Sequence, residues 1–243
     1  MHFTSETTAN GVVERRFTHA DVPGVLWTAP GDPSARPLVL LAHGGGQHKT
    51  APGIAGRAHR FVAAGFAAAA LDAPGHGERP RTEREERVSA EIRSLVAAGE
   101  PAVDYVARYH AEVASQSVKE WTSTVDELWT AGIGTDRPVG FFGISMGTGL
   151  GVPLVAAEPR IAAAVFGLAG NEGLADAAGR VRVPIEFLLQ WNDEMVPRDS
   201  ALALFDAFGS AEKSLHANAG PHAGVPRFEV DSAVRFFARH LLA

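Results

Sequence analysis

Three short stretches of this 243-residue chain carry residue types that together can cleave an acyl bond. The first is Gly143-Ile144-Ser145-Met146-Gly147, set between an apolar run at 138–142 and small, helix-compatible residues up to 157. That pattern predicts strand, sharp turn and helix, with Ser145 at the tip, where a strained backbone points its hydroxyl away from the sheet. Gly143 and Gly147 let strand and helix approach each other. The second stretch, Trp191-Asn192-Asp193-Glu194, follows a buried-looking strand at 184–191 and offers an acid where ligand sites of open α/β sheets collect. The third, Ala219-Gly220-Pro221-His222-Ala223-Gly224, is a loop of backbone-bending residues carrying an imidazole.

Acyl transfer from a serine needs an activated hydroxyl, a base, a group that selects the base's tautomer, and donors for the developing oxyanion. Ser145 is the candidate nucleophile, against the plainer role of a helix cap. Asp193 is the candidate orienting acid, with Glu194 as its nearest rival. His222 is the candidate base, because His216 falls inside a predicted strand and His240 inside the terminal helix. The oxyanion donors are expected to be backbone N–H groups: Met146, directly after the nucleophile, and Gly45 in the run His43-Gly44-Gly45-Gly46, with His43 bracing that loop.

The elements that must position these groups alternate in type. Short strands are predicted at 12–18, 22–29, 37–42, 66–71, 138–143, 161–168, 184–191 and 211–217, with helices at 53–64, 198–208 and 226–242. Such alternation selects a mostly parallel sheet with helices on both faces. Residues 78–98 are dense in alternating charge, and 101–131 follow a long helical pattern. About sixty residues therefore separate two sheet strands that a short crossover could join. A helical cap insertion at about 78–118 is expected, followed by a crossover helix from about 119. Around it, Arg79 and Arg81 are candidates for clamping a substrate carboxylate, and Tyr105, Tyr109 and Trp121 for lining an aromatic pocket. A solvated helix start and ordinary helix packing are the alternatives. The carboxylates at Glu83, Glu85, Glu86 and Glu91 alternate with Arg84, Arg87 and Arg93, which predicts surface pairs rather than a metal site.

Composition narrows the function classes. With 46% hydrophobic residues and no low-complexity tract, a single domain over 1–243 is expected. A formal charge of −6 without a basic run speaks against nucleic acid and anionic membranes. The absence of Cys removes thiolate nucleophiles and thiolate metal sites. The polar start MHFTSETTANG has no apolar leader region, which predicts an unprocessed cytoplasmic protein. No apolar stretch approaches the length of a membrane span, so no membrane partner is expected, and a monomer or homodimer is expected.

Taken together, His43-Gly44-Gly45-Gly46, Asp72-Ala73-Pro74-Gly75-His76-Gly77, Gly143-x-Ser145-x-Gly147, Asp193 and His222 resemble the α/β-hydrolase superfamily over nearly the whole chain, specifically the dienelactone-hydrolase-like and small bacterial serine esterase branch. The resemblance implies an α/β-hydrolase fold with an eight-stranded or similar, mostly parallel sheet. It also implies hydrolysis of a small carboxylic ester, thioester or lactone by attack of Ser145, without cofactor or metal. One departure is visible: the dienelactone hydrolases proper use Cys where this chain has Ser145. Epoxide and haloalkane chemistry on this fold needs an Asp there. A receptor or sensor of the same fold with little turnover is the remaining alternative, because a fold does not set a rate.

Overall fold

The computed structural model describes residues 1–100 and 102–242. Its frame is one nine-stranded sheet. Strands β1 (His2–Ala9), β2 (Val12–His19) and β3 (Val22–Thr28) form an antiparallel meander at one edge. They are followed by β4 (Leu38–Ala42), β5 (Ala67–Leu71), β6 (Val139–Gly143), β7 (Ile161–Gly167), β8 (Ile185–Gln190) and β9 (Lys213–Asn218). The strands lie side by side as β1-β2-β3-β5-β4-β6-β7-β8-β9; β3 pairs antiparallel with β5, and β5 through β9 are mutually parallel. The architecture is the α/β-hydrolase fold, with nine strands where eight or a similar number were expected.

The additional strand is β1. Every residue in it is exposed, so it lacks the half-buried alternation by which a strand is recognised in sequence. Its signal lies instead in the turn: Asn10 and Gly11 both adopt positive φ (52° and 75°), the two-residue hairpin geometry that an Asn-Gly pair favours. The next hairpin uses Ala20 and Asp21 at φ 47° and 62°, a conformation that Asp tolerates and Ala adopts less readily.

Alternate residues of the central strands feed two cores. Leu38, Leu40, Phe141, Phe166 and Phe187 face one side, where they meet α3 (Val103–Thr130), α4 (Met146–Ala157), α5 (Ala175–Ala178) and α6 (Arg198–Ala207). Val39, Leu41, Phe142, Val165 and Leu188 face the other, against α1 (Pro52–Ala63) and α7 (Phe228–Leu241). A parallel strand covered on both faces has no polar side, which is why these strands read as continuous apolar runs.

The long excursion between β5 and β6 consists of α2 (Glu83–Ala98) and α3. The expected division at residue 119 is absent. α3 runs unbroken for 28 residues through both predicted segments, because neither Pro nor Gly interrupts 103–130 and a buried stripe through Trp121, Val125 and Leu128 holds its second half on the sheet. No helix among the described residues is long and apolar enough to cross a membrane.

Candidate active site

Ser145 sits between β6 and α4 at φ 57°, ψ −122°, a conformation that costs an L-residue roughly 1–3 kcal/mol and persists only where the surroundings enforce it. Those surroundings are identifiable. The Ser145 N–H donates to the Gly167 carbonyl at 2.9 Å. The fully buried Thr148 hydroxyl bridges both flanking strands, meeting the Gly143 carbonyl at 2.9 Å and the Gly167 carbonyl at 2.6 Å, while accepting from the Gly167 N–H at 2.9 Å. A Cβ at Gly143 would stand 2.6 Å from the Gly147 carbonyl oxygen, and one at Gly147 would stand 2.8 Å from that of Ala42. The glycines are there to let three backbone segments converge.

The acid and the imidazole arrive from the next two strand ends. Asp193 follows β8 and His222 follows β9. His222 Nε2 lies 3.0 Å from Ser145 Oγ, and His222 Nδ1 lies 2.8 Å from Asp193 Oδ2. The other carboxylate oxygen, Oδ1, accepts from the N–H groups of Met195 (2.8 Å) and Val196 (2.9 Å). Burial opposes charge on Asp193, but the His222 ring and the two backbone donors outweigh it and hold the carboxyl below its ordinary value. Glu194 stands elsewhere in the loop. Its Oε2 accepts from the backbone N–H of His222 at 2.9 Å, so it anchors the loop and leaves the ring to Asp193. His216 and His240 contact Glu229 and Glu212 instead.

The glycine loop after β4 is held from behind. His43 is 2% exposed; its Nε2 accepts from the Ala73 N–H at 3.1 Å, and Nδ1 lies 2.9 Å from the Gly44 carbonyl, which makes it a neutral ring protonated at Nδ1. Asp72, fully buried, accepts from the Lys49 N–H (2.8 Å), Lys49 Nζ (2.6 Å) and the Glu78 N–H (2.9 Å), tying the glycine loop to the Pro-Gly-His-Gly turn. A Cβ on Gly77, at φ 61°, would collide with that carboxylate. Gly45 is exposed at the centre of a turn closed from the Gln47 N–H to the Gly44 carbonyl, and Met146 opens α4, where a first-turn N–H has no intrahelical partner.

The proposed substrate residues divide. Arg79 is not available as a clamp: its guanidinium is paired with both oxygens of Glu120 on α3, at 2.7 and 2.9 Å. Arg81 is exposed and donates from Nε to the Gly75 carbonyl at 2.8 Å. Trp121 is 5% exposed and belongs to the core; the cavity it borders with His43, Asp72 and Leu150 measures about 10 Å³, the size of a water and not of an acyl chain. Tyr105 and Tyr109 are partly buried on α3, and the Tyr109 hydroxyl is 3.4 Å from the Pro74 carbonyl, beside the Pro-Gly-His-Gly turn. Thr148, Lys49 and Glu120 were not read from sequence. A lone Thr, Lys or Glu has no pattern of its own, and their partners lie 19, 23 and 41 positions away.

A pH dependence follows from His43 and from His110, whose ring packs against Gly149 of α4. Burial, and for both the neighbouring His76, pushes each ring down to about 4, from an ordinary value of 6.5. A ring whose folded value lies below its unfolded value binds its proton more tightly when unfolded, so stability rises with pH between the two. Urea unfolding is therefore expected to show stability falling from about pH 6.5 toward pH 4, each ring contributing at most about 1.4 kcal/mol per pH unit. A flat profile over that range contradicts these two neutral rings.

The sequence profile of the family described as "Serine aminopeptidase, S33" matches residues 33–167, which include Ser145 but neither Asp193 nor His222. A cold-adapted esterase from an Arctic intertidal metagenomic library, solved as a PEG-bound complex, superposes with a TM-score of 0.81 at 32% identity, covering 99% of this chain and 100% of that one. Acetyl xylan esterase from Paenibacillus sp. R4 superposes with a TM-score of 0.74 over 99% of this chain and 88% of its own, and at 16% identity it speaks for the fold alone. No curated protein matches the chain.

Proposed function

The chain belongs to the α/β-hydrolase superfamily, and from that premise we propose that it is a serine esterase cleaving small carboxylic esters through an acyl-enzyme on Ser145. The observation that carries this reading is the unbroken line from Asp193 Oδ2 through the His222 ring to Ser145 Oγ, at 2.8 and 3.0 Å. As Ser145 Oγ bonds to the ester carbon, its proton passes to His222 Nε2, and Asp193 stabilises the imidazolium it faces. The carbonyl oxygen, now negative, is received by the N–H groups of Met146 and Gly45, which are fixed before the reaction begins. Collapse breaks the bond to the alcohol, which leaves with the proton from His222. A water, deprotonated by the same ring, then attacks the acyl-serine and releases the acid.

Ester chemistry is favoured over peptide cleavage because the 32% identical neighbour that spans the whole chain is described as an esterase. Thioesters and small lactones present the same electrophilic carbonyl and fall within the proposal. We assign the choice among them to α2 and the first half of α3, read as a cap within a single domain, with Tyr105 and Tyr109 facing the substrate and Arg81 at its rim. Sustained hydrolysis of p-nitrophenyl acetate, together with one fluorophosphonate label per chain on Ser145, is the expected result. Labelling with a single burst and no further turnover would transfer the protein to the sensor reading.

A further inference from the structure

A second group of chemistry-bearing side chains lies on the α7 face of the sheet, apart from the Ser145 line. Glu186 in β8 and Glu229 at the start of α7 are each 3% exposed, and His216 in β9 stands between them. A buried carboxylate is costly unless all its lone pairs are met. Glu229 is satisfied: Oε2 accepts from His216 Nδ1 and Oε1 from Asn218 Nδ2, both at 2.8 Å. Glu186 is not. Its Oε2 accepts from the Ser232 hydroxyl at 3.1 Å, while its buried Oε1 has no partner among the described residues.

The His216 ring connects the two acids unevenly. With Nδ1 donating to Glu229, Nε2 is left free to accept, and its separation from Glu186 Oε2 is 3.6 Å. That is too long for a hydrogen bond. It is close to the separation of about 3.4 Å between two atoms that each bind a tetrahedral zinc ion at about 2.0–2.1 Å. A carboxylate behind the other ring nitrogen is also how metal-ligating histidines are oriented. We propose that His216 Nε2 and Glu186 bind a divalent transition-metal ion, Zn²⁺ being the best match, with Glu229 and Asn218 orienting the ring. The partly exposed edge of His216 gives solvent access, so water completes the coordination.

The ion acts as a brace. β8 leads into the loop of Asp193, β9 into that of His222, and α7 follows the same loop, so one ion ties β8 to β9 directly and to α7 through the Glu229 bond to the His216 ring. It lies outside the proposed chemistry, and the proposal is independent of the esterase reading.

The test uses the whole chain, without a histidine tag and stripped with EDTA, titrated with Zn²⁺ by calorimetry and with Co²⁺ by visible absorption. His222→Gln is included because the imidazole of the Ser145 line is the competing zinc ligand. One Zn²⁺ per chain is expected in the parent and in His222→Gln, with tetrahedral Co²⁺ bands. A rise in thermal midpoint on the order of 5 °C is expected at a hundredfold excess over Kd. Affinity is expected to fall at least tenfold in Glu186→Gln and in His216→Gln. Should either variant fail to fold, histidine NMR of the parent decides, with the Nε2 resonance of His216 moving on zinc addition. The proposal is overturned by absence of saturable binding, by affinity that both variants leave intact, or by loss of binding in His222→Gln.

Discussion

Ser145→Ala is expected to abolish ester turnover, with a fall in kcat of roughly a millionfold, the scale reached when the nucleophile of such a unit is removed and only binding and oxyanion contacts remain. The loss is expected in kcat rather than KM, because the hydroxyl acts on the reacting carbonyl and not on the rest of the substrate. The backbone supplies an independent readout. Ser145 stands at φ 57°, where a side chain is strained and glycine is not. Ser145→Gly is therefore expected to be as inactive as the alanine variant yet more resistant to urea by about 1 kcal/mol, the strain relieved less the extra chain entropy of glycine. Inactivity with increased stability is the signature of a conformation held for function. A variant at 145 that keeps near-parent turnover would remove this serine from the chemistry.

The second large effect is expected at Asp193. Asp193→Asn keeps an oxygen to accept from the Met195 and Val196 N–H groups, so the loop is expected to survive. What it loses is the negative charge facing Nδ1 of His222 at 2.8 Å. An amide there stabilises neither the required tautomer nor the imidazolium, and a fall in kcat of about ten-thousandfold is expected. Glu194→Gln retains an acceptor for the His222 backbone N–H and is expected to cost less than about tenfold, as for one neutral hydrogen bond replacing a charge-assisted one. Steady-state kinetics on one substrate, with circular dichroism to establish folding, compares the two. Reversal of their order would exchange the roles of neighbouring residues.

How much of this was legible in sequence depended on whether a residue's task is local. The turn around Ser145 was readable because its requirements, small residues on either side of one hydroxyl, are met within five positions. The double-faced strands were readable because full burial leaves an uninterrupted apolar run. β1 was missed because an exposed edge strand has no hydrophobic pattern, although Asn10-Gly11 marks its hairpin. Arg79 was left open between a substrate clamp and a solvated helix start for the opposite reason: an arginine after a glycine turn has the right chemistry for a carboxylate, and the sequence does not say that the carboxylate is the protein's own Glu120. For Trp121, where an aromatic pocket and helix packing both stood open, the helix turns the ring into the core.

By itself, the order of residue types determined the alternation of strand and helix, the serine at a strand-to-helix corner, and an acid and an imidazole on later loops, because each is written in local spacing and backbone preference. Only the tertiary structure decided that Asp193 rather than Glu194 meets the ring, that Asp72 and Lys49 clamp the glycine loop, and that a histidine lies between two buried acids beneath α7. Those outcomes depend on atoms brought within about 3 Å by sheet order and helix packing, and the direction in which a side chain points after the chain has folded back on itself is set by its neighbours in space.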